Sequence, residues 1–101
     1  MYITSEQLNV KVDEWAYNRG IHTNYSNQAQ IAKLTEEFAE LQTAIVNNNV
    51  NEIADAIGDM MVVMTNIATH YGLTLRLCYE HAYNQIKDRK GKMVNGTFVK
   101  D

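Results

Sequence analysis

The sequence predicts an all-α protein: a four-helix, bundle-like arrangement followed by a short C-terminal β-hairpin. Three observations carry this. There is no proline, so long helices can run unbroken. Apolar residues recur at intervals of three and four along successive segments. Asn95-Gly96 lies between two short apolar-containing runs, a strong local hairpin signal.

Thr4 and Gln7 have capping-box spacing and open the first helix. That helix runs to about Asn18, with Gly20 as its stop. The segment IHTNYSN is a loop. The second helix starts near Ser26 or Asn27 and carries the stripe Leu34, Phe38, Leu41 and Ile45. The run NNNVN interrupts it, because asparagine favours caps and turns. The third helix carries Ile53, Ile57, Met60, Met64 and Ile67 and ends around Tyr71-Gly72. Thr74 caps a fourth, with the stripe Leu75, Tyr79, Ala82 and Ile86. The short loops favour antiparallel neighbours.

Composition sets the class. A chain of 101 residues, 46% of them apolar, reads as one globular domain spanning residues 1–101. The net charge of −3 gives no general case for nucleic-acid binding. One cysteine, Cys78, excludes an intrachain disulfide and reads as a small core residue. No apolar run approaches the roughly 20 residues of a membrane span. The N-terminal stretch is acidic by Glu6 and has no hydrophobic region, unlike a signal peptide. The expectation is a soluble, cytoplasmic protein with no membrane partner.

The acids are the most informative residues. Between residues 34 and 75 there are six carboxylates and no lysine or arginine. They are Glu36, Glu37 and Glu40 on the second helix, then Glu52, Asp55 and Asp59 on the third. Like charges three or four residues apart on a helix repel, so a cation from elsewhere would relieve them. At about 100° per residue, with Lys33 as zero, the second helix's apolar stripe centres near roughly 110° and its acids fall within about 60° of zero. With Glu52 as zero, the third helix's apolar stripe centres near roughly 100°, and Asp55, Asp59 and Asn66 fall within about 60° of zero. Two such helices packed antiparallel bring the acidic stripes together along one side of the seam. Oxygen ligands on rigid helices suit Mg²⁺ or Mn²⁺.

The competing reading is a solvated acidic face. Two aligned clusters in a base-free stretch weigh against it. Di-iron chemistry requires Glu-x-x-His on helices, and no glutamate here has histidine three residues on. His22, His70 and His81 are scattered and read as surface or packing residues. The run MMVVM reads as core. Val62 lies nearly opposite the main stripe, so the third helix is apolar on most sides, which points to a subunit interface. Lys87, Arg89, Lys90 and Lys92 crowd the end of the fourth helix. There they offset the helix dipole or hold phosphate, a role also open to Lys33. No Walker-type loop or Rossmann fingerprint is present.

The pattern Lys33-Leu34-x-Glu36-Glu37-x-x-Glu40-Leu41, then Asp55-x-Ile57-Gly58-Asp59, then Asn66, resembles the MazG-like branch of the all-α nucleoside triphosphate pyrophosphohydrolases. Trp15 and the closing KDRKGKMVNGTFVK are similar to the short, single-domain members of bacteria and phages. The resemblance implies the MazG fold and Mg²⁺-dependent cleavage of a nucleoside triphosphate to a monophosphate and pyrophosphate. It also implies a homodimer or homotetramer. By position it makes Glu37, Glu40 and Asp59 metal ligands. Glu36 matches the adjacent glutamate, and Asn66 an asparagine that faces the substrate. One departure stands out. The family pattern expects glutamate at position 56, where this chain has Ala56. Glu52 or Asp55 shares the Asp59 face and could replace it.

On this reading Glu36 or Asp55 accepts a proton from the attacking water. Lys33, Lys87, Arg89 and Lys90 offset phosphate charge. Trp15 and Tyr17 are candidate base contacts, with burial in the bundle the plainer role for Trp15. The alternatives are a catalytically weak or inactive nucleotide binder, for which Ala56 is the motive, and a structural helical oligomerisation module.

Overall fold

The computed structural model describes residues 2–101. Four helices, α1 (Ser5–Asn18), α2 (Asn27–Val46), α3 (Val50–His70) and α4 (Leu75–Ile86), precede strands β1 (Gly91–Val94) and β2 (Thr97–Lys100). Side-chain caps open every helix. Thr4 Oγ1 accepts from Gln7 N at 3.0 Å, and Gln7 Oε1 accepts from Thr4 N at 2.8 Å, closing the expected capping box. Ser26, Asn49 and Thr74 cap α2, α3 and α4. The asparagine run divides its work. Asn47 ends α2, Asn48 takes φ 52° and Asn49 caps α3, while Val50 and Asn51 already belong to α3. At the hairpin tip Asn95 (φ 50°) and Gly96 (φ 81°) are both left-handed, as a tight two-residue turn requires.

Helices α2 and α3 form the main packing unit. Asn27 Nδ2 donates to Tyr71 Oη at 2.8 Å and Asn66 Nδ2 donates to Gln30 Oε1 at 3.4 Å. The start of α2 therefore meets the end of α3, and the pair is antiparallel. α1 and α4 lean on α3 and on each other, whereas α2 packs against α3 alone. Thr69 Oγ1 donates to Asp13 Oδ1 at 2.7 Å, tying α1 to α3. Arg76 on α4 pairs with Glu6 on α1.

The seam does not follow the expected apolar stripes. Asn66 is buried near one end, where it meets Gln30; along the rest of the seam the buried residues are Glu37 and Ala44 on α2, with Ala56 and Val63 on α3. On the angular scale above, these fall at about 30° on both helices, between the acidic and apolar stripes. Small side chains there let the helices approach closely, and larger ones flank them. Leu34 and Leu41 are half-buried, but Phe38 and Ile45 are exposed on α2, as are Ile57, Met61 and Met64 on α3. In an antiparallel pair these residues lie on one flank of the hairpin and the acids on the other. The run MMVVM is correspondingly split, with only Val63 fully covered.

Other expectations need correction. Tyr79 and Ile86 on α4 are exposed, because α4 touches its neighbours only lightly. Cys78 is exposed for the same reason. Trp15 is 43% exposed, not sunk in the bundle. The β-hairpin pairs Met93 with Phe98 and Val94 with Thr97, and it packs against no helix.

Candidate functional site

The acidic flank of the α2–α3 hairpin is an open cleft of about 630 Å³. Glu36 and Glu40 line it from α2, and Glu52, Asp55, Ala56 and Asp59 line it from α3. Three carboxylates converge. Glu37, Glu40 and Asp59 each place an oxygen within 4.8 Å of the others. Glu37 and Glu40 are one turn apart and share a face of α2, while Asp59 reaches them across the seam. Glu52 and Asp55 line the same cleft but stand outside this group.

Glu37 is 4% exposed. Lys33 Nζ stands 3.2 Å from its Oε1 and 3.6 Å from Glu36 Oε2. Its other oxygen, Oε2, is buried without a hydrogen-bond partner. Crowding divides the protons. A hydrogen bond given by Glu40 holds the Glu37 carboxyl below the usual carboxylate range; burial opposes this, and Lys33 reinforces it. Glu40 is pushed up, first by that hydrogen bond and then by the negative charge of Glu37. Lys33 is raised by its hydrogen bond to Glu37 and by the Glu36 charge. With no cation other than Lys33 at hand, Glu40 is the carboxyl that tends to keep its proton.

These residues fit a hard divalent cation. Carboxylate oxygens from two helices match the preference of Mg²⁺ or Mn²⁺, and Glu37 keeps a buried oxygen with no hydrogen-bond partner. A lone buried carboxylate oxygen is otherwise costly.

The remaining sequence candidates divide. Asn66 is 4% exposed, two turns beyond Asp59, with Oδ1 buried and unpartnered; it lines neither the acidic cleft nor the Trp15 cleft described below. Lys87, Arg89 and Lys90 are exposed. Among the described residues they line neither the acidic cleft nor the Trp15 cleft and pair with none of the carboxylates, so the fold of one copy does not bring them to the site. Sequence reasoning missed a second cleft of about 350 Å³, walled by Lys11, Val12, Trp15, Asp59 and Val62. Its signal was the spacing of Lys11 and Trp15, four apart on one face of α1. It also missed the burial of Glu37.

A helical hairpin presenting carboxylates from both arms, with two further helices packed on α3, is an all-α arrangement able to hold a divalent cation. The phosphoribosyl-ATP pyrophosphohydrolase family profile matches residues 11–85. The chain belongs to that family, within the MazG-like all-α NTP pyrophosphatase superfamily. It is also similar to an uncharacterized 18.2 kDa protein from the rep-hol intergenic region of Haemophilus phage HP1, 38% identical over 63 residues. The match covers 62% of this chain and 39% of that relative. No solved structure matches.

Proposed function

We propose that the protein is a metal-dependent nucleoside triphosphate pyrophosphohydrolase, converting a ribo- or deoxyribonucleoside triphosphate to the monophosphate and pyrophosphate. The observation that carries this reading is the convergence of Glu37, Glu40 and Asp59, with a Glu37 oxygen buried and unpartnered. Membership of a pyrophosphohydrolase family supports the reaction type.

Glu37, Glu40 and Asp59 would hold Mg²⁺, or Mn²⁺ in its place. When bound, the ion supplies charge neutralisation for the phosphate oxygens. Asp55 lines the cleft and, among the described residues, forms no ion pair. It is therefore better placed than Glu36, which shares Lys33, to take the proton of the attacking water. Lys33 offsets charge on the leaving pyrophosphate. Asn66, on the Asp59 face of α3, would have to shift its buried, unpartnered Oδ1 toward the cleft to meet the substrate.

The apolar flank of α2 and α3 would be covered by a second copy, giving a homodimer or homotetramer. A partner could then bring Lys87, Arg89 and Lys90 to the phosphates. No described helix is long and apolar enough to cross a membrane.

The test is a panel of common ribo- and deoxyribonucleoside triphosphates with Mg²⁺ and with Mn²⁺, following pyrophosphate release. Release from at least one substrate, abolished by chelation, is expected. No release under any condition would reject the enzyme reading. Ala56 favours one second reading, a nucleotide binder without turnover, since neither Glu52 nor Asp55 completes the carboxylate group. Nucleotide-dependent thermal stabilisation without product would identify it.

A further inference from the structure

We propose that the second cleft, between α1 and α3, receives the nucleobase of the bound nucleotide, stacked on Trp15. This rests on the nucleotide reading above and adds the base subsite to it.

Continuity is the first reason. Asp59 belongs to the converging carboxylates and also lines the Trp15 cleft. A nucleotide with its phosphates at those carboxylates thus has an adjoining cavity on the α1 side. Its volume of about 350 Å³ lies in the range of small-molecule pockets, roughly 300–1,000 Å³.

The second reason is chemical. Val12 and Val62 supply apolar walls and Trp15 a flat aromatic surface, 43% exposed. Arg19 fixes that surface. Its guanidinium lies 4.6 Å from the indole centroid, and its Nη1 donates to the Trp15 carbonyl at 3.3 Å. One indole face is thereby occupied, leaving the remaining surface for a second planar group. A cation over one face and a base against the ring are compatible, as in stacking platforms for single-stranded nucleic acid.

The wall also says how the base is read. Lys11 and Asp59 are its only charged side chains among the described lining residues, and the Trp15 indole N–H is the one neutral side-chain donor, with no amide or hydroxyl. Base edges therefore meet few neutral donors or acceptors, and selection rests on stacking, which every base can provide. Broad base tolerance follows. Lys11 also raises the rival arrangement, with phosphate in this cleft and the base elsewhere.

Trp15 is the sole tryptophan, so its fluorescence reports on this cleft directly. ATP, GTP, CTP and UTP, each with Mg²⁺, should quench it, after correction against free tryptophan amide. Inorganic triphosphate with Mg²⁺ should compete with them yet leave the emission almost unchanged. Trp15→Ala should raise KM roughly 5- to 150-fold, the usual range for losing a base–aromatic stack, and affect kcat much less. Trp15→Phe should recover most of the loss. The Ki of inorganic triphosphate should not move in either variant.

Equal quenching by inorganic triphosphate, or a parallel loss of its affinity in Trp15→Ala, would overturn the proposal in favour of phosphate at this cleft. So would an unchanged KM in a folded Trp15→Ala. If that variant does not fold, the wild-type titration and Trp15→Phe decide. Nucleotide turnover with no Trp15 dependence removes the base subsite alone; absence of both binding and turnover removes the nucleotide reading as well.

Discussion

Lys33 Nζ stands 3.2 Å from Glu37 Oε1, so the acid buried in the α2–α3 seam is met by a cation one turn earlier on its own helix. The pairing makes Glu37 tolerable in the fold while its second oxygen stays unpartnered. Glu37→Gln keeps the shape and removes the charge. It should lower pyrophosphate release by about 100-fold or more, with helical circular dichroism retained. Asp59→Asn should do the same. Near-normal turnover in both would reject the assigned ligands.

Glu40 makes the opposite stability prediction. Its raised carboxyl means that the fold binds this proton more tightly than the unfolded chain does. The resulting stabilisation is present at low pH and lost as pH rises through the raised value. Glu37 is lowered, so its stabilisation is present above the ordinary carboxylate range and lost as pH falls through the depressed value. At neutral pH Glu40→Gln replaces the disfavoured charge with an amide that can still donate to Glu37. The variant's metal-free melting temperature should rise above wild type, and the stabilisation by Mg²⁺ expected of wild type should vanish. A lower melting temperature would contradict the proton assignment.

Ala56 is 3% exposed yet forms part of the cleft wall beside Asp59. Ala56→Glu adds a carboxylate beside the Glu37–Glu40–Asp59 trio on an already acidic face. It should destabilise the metal-free protein and tighten Mg²⁺ binding, by roughly tenfold if the new group reaches the ion, since ligand charge count tunes such sites. Isothermal titration with Mg²⁺ checks the affinity and thermal melting checks the cost.

Phe38, Ile45, Ile57 and Met61 put apolar surface on one flank of the hairpin. Phe38→Glu places a charge in the middle of it. If a second copy covers this flank, light scattering should show wild-type assemblies falling to the 11.5 kDa chain in the variant. A wild-type protein that is already monomeric would exclude the interface.

Much of this was legible because it depends on local rules. Thr4, Ser26 and Thr74 announced helix starts through their side-chain caps, and Asn95-Gly96 announced the hairpin through backbone freedom. That the two acidic stripes meet followed from helical angles, whereas singling out Glu37, Glu40 and Asp59 within them followed from the family pattern. Those angles could not rank the acids by depth: the seam runs between the stripes, where Ala44 and Ala56 permit close approach, and only packing reveals that Glu37 shares it. Nor could periodicity tell Phe38 or Ile57 whether a neighbour exists to cover them. Lys87, Arg89 and Lys90 looked useful because they are clustered in sequence, but their position relative to the cleft depends on how α4 is set against α3. Trp15 was read as buried from residue type, whereas α1 leaves its indole at a cleft mouth.

The attachment of α2 to α3 alone has a dynamic consequence. No second neighbour holds α2 in place, so breathing of a single contact surface can scatter the carboxylate trio. Backbone amides of α2 should then exchange with deuterium sooner than those of α3, and any species bridging Glu37, Glu40 and Asp59 would act as a clasp that slows them.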